Sequence, residues 1–205
     1  MSASSATLAT LRDRVEQLLL DTGNSIWATG LIDEAIDQAL SAYSEARPQV
    51  VKSSLALTAI LSTNGREIDI SAVTGLVSVV DVWAPYLAAD DKPARRRFEH
   101  WLEQEVVHLP DGTAVSASDT ARVFYAKTHT LNGLNSAGAT TFKAGDDSLI
   151  VVGAAGYACL ARSVDLLEQV TLGGQTVDEL RLLGVGLLDE FRQRLGAAID
   201  STADG

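Results

Sequence analysis

DDSLIVVGAAGYACLARSVDLLEQV, residues 146–170, is the most hydrophobic stretch of the chain, and the cover it needs decides the fold. From Leu149 to Ala161 it carries no charge, and nearly every position is apolar or small. A surface helix has one apolar stripe, whereas a helix apolar on two faces needs neighbours on both. The run therefore predicts a central helix whose partners come from both sides of it in the sequence. A membrane span calls for roughly 20 apolar residues, and Arg162, Asp165 and Glu168 end the run short of that. Gly153 and Gly156, set among Ala154, Ala155 and Ala158, would weaken a lone helix, so they are expected where another helix comes close. Leu149, Val152, Tyr157 and Leu160 complete its expected core.

Working outward, the partners are visible as periodic runs. Leu8, Leu11, Val15, Leu18 and Leu19 recur at spacings of three and four and predict a helix from Ala6 to Asp21, with Thr7 or Ser5 as its N-cap. Leu31, Ile32, Ala35, Ile36, Ala39, Leu40 and Tyr43 predict a second over 29–46, closed by Pro48 because the residue before a proline is pushed out of the helical region. Beyond the central run, Thr176 with Glu179 reads as a capping box. The helix it opens is expected from Val177 to Ile199, with Leu180, Leu183, Leu187, Leu188, Phe191 and Leu195 turned inward and a frayed polar tail after it.

Between residues 49 and 143 the period changes. Short β-branched segments, 50–60, 67–70, 77–83, 98–101, 106–109 and 121–127, are separated by Asn64-Gly65, Thr74-Gly75 and Asp111-Gly112. They predict about six strands, with Asn64-Gly65 and Asp111-Gly112 as hairpin-type turns. A polar loop rich in Thr, Asn, Gly and Ser follows from Thr128 to Gly145. The expected class is α+β: a four-helix bundle of residues 1–48 and 144–205, with an antiparallel β domain, 49–143, inserted between its halves. No β-α alternation runs through the chain, which disfavours doubly wound and barrel architectures.

With 205 residues and a 46% hydrophobic share, the chain can bury a substantial core. Its formal net charge of −11 argues against gripping nucleic acid by phosphate neutralisation, though not against letting DNA slide past. One cysteine, Cys159, rules out an internal disulfide and a thiolate zinc site and fits an intracellular setting. The opening residues predict no secretory signal. His100, His108 and His129 show no metal-ligand spacing, and Cys159 has no flanking cation to stabilise a thiolate. No nucleophile elbow, phosphate loop or dinucleotide fingerprint occurs. Arg95, Arg96 and Arg97 form the sole basic cluster, either a surface hairpin or a contact for an anion or a DNA backbone. Trp83, Tyr86, Phe98 and Trp101 raise a second possibility, a module holding a small molecule between aromatic rings, although a β core is the simpler account of them.

Several motifs, taken together, resemble a known family. LRDRVEQLLLD at 11–21, Trp27, LIDEAIDQAL at 31–40 and the closing Arg47-Pro48 resemble the opening of head-to-tail adaptor (connector) proteins of tailed bacteriophages. Val123-Phe124-Tyr125, then Thr128-His129-Thr130-Leu131, then SLIVVGAAGYA at 148–158 are similar to the strand, loop and apolar helix of the same proteins. The resemblance implies a non-enzymatic structural protein of the virion, without cofactor or metal, assembled in the host cytoplasm and placed at the head-tail junction. It implies a ring, commonly twelvefold, beneath the portal protein, with double-stranded DNA passing through unbound and a downstream neck or tail protein docking below. A stopper-like or tail-completion protein is the neighbouring alternative. The resemblance also puts the portal contact in the C-terminal segment, at Leu195 and Ile199.

Overall fold

A computed structural model describes residues 2–21, 26–56, 67–86, 95–101, 105–109, 119–168 and 174–203. The chain is α+β, with helices and antiparallel sheets. It divides into two compact units, Met1–Arg47 with His129–Gly205, and Pro48–Thr128.

The first unit holds α1 (Leu8–Leu18), α2 (Thr29–Ala46), α3 (Asp147–Glu168) and α4 (Gly174–Ala203). Helix α1 starts in a reciprocal cap: Thr10 N–H donates to Thr7 Oγ1 at 3.3 Å and Thr7 N–H donates to Thr10 Oγ1 at 2.8 Å. Arg12 clasps Asp33 of α2 with two hydrogen bonds of 2.9 Å, fixing α1 against α2. Helix α3 packs on α1, α2 and α4. Its stretch Asp147–Leu166 is long and apolar enough by composition to cross a membrane, beyond the sequence expectation of a run that stops short; most of that stretch is buried inside the protein, as the core helix of a folded domain would be.

The core of this unit joins Leu11, Val15, Ile32, Ile36, Leu40, Leu149, Ile150, Ala154, Ala158, Leu188 and Phe191. Val152, Tyr157, Leu160 and Leu187 are half-buried and pack against it. Two expected core residues are not there. Leu18 is 45% exposed, because α1 ends at it and Leu19 takes the inward position. Leu183 is 51% exposed, because the buried line of α4 runs through Val177, Gly184, Leu188, Phe191 and Leu195 and turns Leu183 away. Helix α4 begins at Gly174, so Thr176 lies inside it rather than at its cap, and it continues to Ala203 where a frayed tail was expected.

A larger correction concerns residues 129–143, expected to belong with the β domain. They belong to the helical unit, and Leu131, Leu134 and Phe142 are part of its core. A loop can be buried only if its backbone polar groups find partners, and here the threonines supply them. Thr130 N–H donates to Thr141 Oγ1 at 2.8 Å, Asn132 N–H to Thr140 Oγ1 at 3.0 Å, and the Thr140 hydroxyl to Ala6 O at 2.6 Å. The residues that read as a solvated loop are its internal hydrogen-bonding frame.

The second unit contains β1 (Gln49–Ala56), β2 (Glu67–Asp69), β3 (Leu76–Trp83), β4 (Arg95–Arg96), β5 (Glu99–Trp101), β6 (Val106–His108) and β7 (Thr120–Lys127). They form a four-stranded sheet, β1-β7-β3-β4, and a three-stranded sheet, β2-β6-β5. Strand β7 is the centre: Gln49↔Lys127 to Ala56↔Thr120 on one side, Leu76↔Lys127 to Trp83↔Arg122 on the other, the latter with two irregularities. Ala121, Val123 and Tyr125 alternate inward and meet Val82, Ile68, Ile70 and Val107 in one core spanning both sheets. Asn64-Gly65 and Asp111-Gly112, expected as hairpin-type turns, lie outside the described residues; β1 pairs with β7 and β2 with β6. Gly75, at φ +70°, has a distinct constraint: a Cβ there would stand 2.6 Å from Thr128 Oγ1, and Thr128 N–H donates to Gly75 O at 2.8 Å.

Candidate functional site

The seam between α3 and α4 is where the expected glycines lie. A Cβ on Gly153 would come within 3.0 Å of the Phe191 ring, and one on Gly156 within 2.8 Å of Leu188 Cγ and 3.1 Å of the Gly184 carbonyl oxygen. Gly184 is the matching gap on α4, 3.0 Å from Cys159 Cβ and from Gly156 O by the same construction. The two backbones approach because neither carries a side chain at the crossing. Cys159 is enclosed there, and burial pushes its thiol up to about 11. A thiol so held is neutral at ordinary pH, a small hydrophobe and no nucleophile.

A polar cluster gathers the end of α2, the loop and the start of α3. The Tyr43 hydroxyl donates to Asp146 Oδ2 at 2.7 Å, and the Arg47 guanidinium reaches the same oxygen at 3.4 Å. Arg47 also donates to the carbonyls of Arg194 and Leu195 on α4, at 2.8 and 3.1 Å. Burial first, then the Asp146 carboxylate, raises the Tyr43 phenol to about 12. His129 packs its ring 5.2 Å from that of Tyr43. Its backbone N–H donates to Ser44 Oγ at 2.9 Å, its Nε2 lies 2.9 Å from Arg47 O and its Nδ1 3.1 Å from Thr141 Oγ1. A carbonyl only accepts, so Nε2 carries the proton, and Nδ1 of the neutral ring accepts from the Thr141 hydroxyl. This arrangement is structural, an anchor of the loop on α2. In the sequence His129 shows no metal-ligand spacing and stands in the Thr128-His129-Thr130-Leu131 motif, with no sign of this contact.

Burial lowers the His129 pKa, with the Arg47 and Thr141 bonds and the Asp146 charge opposing in part. The folded state therefore binds the proton less readily than the unfolded chain. The associated stability is fully present above the ordinary value of about 6.5 and is lost as pH falls through the folded value. Urea midpoints at about pH 7.5 and about pH 5 should fall more for the native chain than for His129→Gln. Equal falls in the two proteins would show that His129 is not a source of acid sensitivity.

The structure places Arg95 and Arg96 in β4 and Arg97 just after it. Arg95 is bonded to Asp81 at 2.9 Å, and Arg96 Nε donates to Ala84 O at 2.6 Å, so both are engaged within the β unit; Arg97 is exposed. Burial would raise the Asp81 pKa, but the bonds from Arg95 and Trp83 outweigh it and hold the carboxyl below its usual range. Of the four aromatics, the structure brings Trp83 and Tyr86 together, with 6.4 Å between ring centroids. Trp83 packs with Phe124 and Tyr86 beside the four-stranded sheet, Phe98 packs against the core, and Trp101 stacks on His108 at 4.6 Å in the other sheet. Among the described residues no group of three or more His, Cys, Asp or Glu could hold a metal ion. Leu195 is buried at 7% exposure and belongs to the helical core, so it is not free to meet a portal; the side chain of Ile199 lies outside the described residues.

No family model and no curated protein matches this chain.

Proposed function

We propose that the chain is a head-to-tail adaptor of a tailed-phage virion: a four-helix bundle with an inserted antiparallel β domain, assembled as a ring of about twelve copies under the portal. It extends the DNA channel and offers its far side to the next neck or tail protein. The observation that carries this reading is the resemblance of the motifs at 11–21, 31–40 and 148–158, and the chain also has apolar side chains exposed on both units. Val50 and Val80 stand outward on the sheet, Val164 on α3, and Leu182 and Val185 on α4. The formal charge of −11 fits a conduit wall that DNA traverses without adhering. The portal contact is assigned to exposed side chains and not to Leu195.

The test is light scattering on a mixture with the portal protein of the same virion. The adaptor reading expects a complex heavier than the portal ring by several copies of this chain. Absence of any complex at every ratio rejects it, whereas a monomeric free protein does not, since the portal can serve as template.

A further inference from the structure

Strand β7 alternates between two surroundings. Ala121, Val123 and Tyr125 face the core of the β unit, so Arg122 and Phe124 stand on the other side of the four-stranded sheet, and their cross-strand partners share that side. Lys52 pairs with Phe124 and Ser54 with Arg122 on one flank, while Asp81 and Trp83 pair with the same two residues on the other. Phe124 and Trp83 pack with 4.6 Å between ring centroids, and the Arg122 guanidinium lies 3.8 Å from the centre of the Tyr86 ring. Val50, on the side of Lys52, is 62% exposed. Half-buried aromatic rings beside arginine are the composition of an interface rather than of a solvated surface.

Charge decides what can meet this face. Arg95 is offset by Asp81. Arg122 has two neutral partners, the Tyr86 ring and the Ser54 hydroxyl at 3.5 Å, and Lys52 is exposed; among the described residues neither is paired with a carboxylate. The complement stands on α2, which carries Asp33, Glu34, Asp37 and Glu45 and no lysine or arginine. Arg12 takes Asp33, whereas Glu34 and Asp37 meet only the side-chain amides of Gln38 and Asn135. Glu34, Gln38, Ser41 and Glu45 are all exposed and follow one another at helical spacing, an acidic outward stripe.

We propose that copies of the chain associate head to tail, the outer face of the four-stranded sheet in one copy resting on the α2 stripe of the next. A two-fold pairing of the sheet face would set Lys52 and Arg122 against their own kind, and a two-fold pairing of α2 would do the same to its glutamates. A heterologous contact avoids both, and it is the type of contact from which rings are built. The inference rests on the adaptor reading and supplies the contact between neighbours in its ring.

Titration of the portal protein of the same virion with the full chain, followed by light scattering, reads portal binding and contact between copies separately. The native chain should fill the portal cooperatively. Lys52→Glu, and the double variant Glu34→Lys with Glu45→Lys, should each bind without cooperativity, because like charges across the contact weaken it at least about tenfold. An equal mixture of the two should regain cooperativity, since each presents the charge that the other now requires. Lys143→Glu, the same change of charge at an exposed position outside both surfaces, should behave as the native chain does. Cooperativity that survives in either charge variant, is lost in Lys143→Glu or fails to return in the mixture overturns the head-to-tail contact and leaves the adaptor reading standing. A portal that binds no native chain rejects both.

Discussion

Gly156→Leu is expected to lower the free energy of unfolding by about 3 kcal/mol, the upper end of the usual cost of overpacking. The added atoms meet Leu188 at 2.8 Å, and behind it the Gly184 carbonyl oxygen at 3.1 Å. A leucine tip can rotate, but a backbone oxygen inside α4 moves only if the helix moves. Gly156→Ala is the sharper form of the experiment. On an open helix surface that change would gain about 1 kcal/mol from propensity; at the seam the clash should reverse its sign. Gly186 of α4 supplies the control, because a Cβ there meets nothing within 4 Å, and Gly186→Ala should stabilise by about 0.5–1 kcal/mol. Urea denaturation of the three variants measures these differences. A Gly156→Ala protein as stable as Gly186→Ala would mean that α3 and α4 do not meet at this point.

Phe142→Ala is expected to cost about 3–5 kcal/mol, the range for a fully enclosed aromatic residue. Phe142 has no exposed surface, sets its ring edge-on to Tyr43 at 6.2 Å between centroids, and accepts at its carbonyl from Ser4 N–H at 2.9 Å. A substitution in a solvated surface loop ordinarily changes stability by no more than about 0.5 kcal/mol. A thermal or urea melt therefore separates the two descriptions of residues 129–143 by several kcal/mol. A small effect would return the segment to the surface.

The comparison of α2 with the loop shows what the sequence could and could not tell. Helix α2 runs Thr29–Ala46, the bounds expected from an unbroken three-four spacing and Pro48. There the information is local, since periodicity, a stop and a buried face all lie within one segment. Gly153 and Gly156 were legible for a similar reason: two glycines in an apolar helix need an explanation, and close approach is the simplest. The loop at 129–143 failed because its threonines look the same whether they bond to water or to Ala6 and Ala139. Leu183 failed because counting large residues centres the stripe of α4 on leucines, whereas α3 comes close to α4 at Gly184, which has no side chain to count. Strand pairing was not legible at all: turn dipeptides report on neighbours in sequence, while β1 finds its partner in β7, some 70 residues later. The polar cluster of Tyr43, Arg47, His129 and Asp146 joins residues about 100 positions apart and left no local trace.

The separate fates of Leu195 and Leu20 bear on assembly. Leu195, singled out by resemblance as a portal contact, is committed to the core, whereas Leu20, which lies inside the 11–21 motif, is open to solvent. Contacts with other proteins are therefore to be sought at the exposed residues of α1, α2, α3, α4 and the sheet, where substitution can weaken association without removing a core side chain.

Electron microscopy of the protein mixed with its portal decides whether the chain forms an adaptor ring. The adaptor reading predicts a second annulus coaxial with the portal ring, of about twelve copies, around an open channel. Portal rings that remain bare at saturating concentrations of this chain would contradict it.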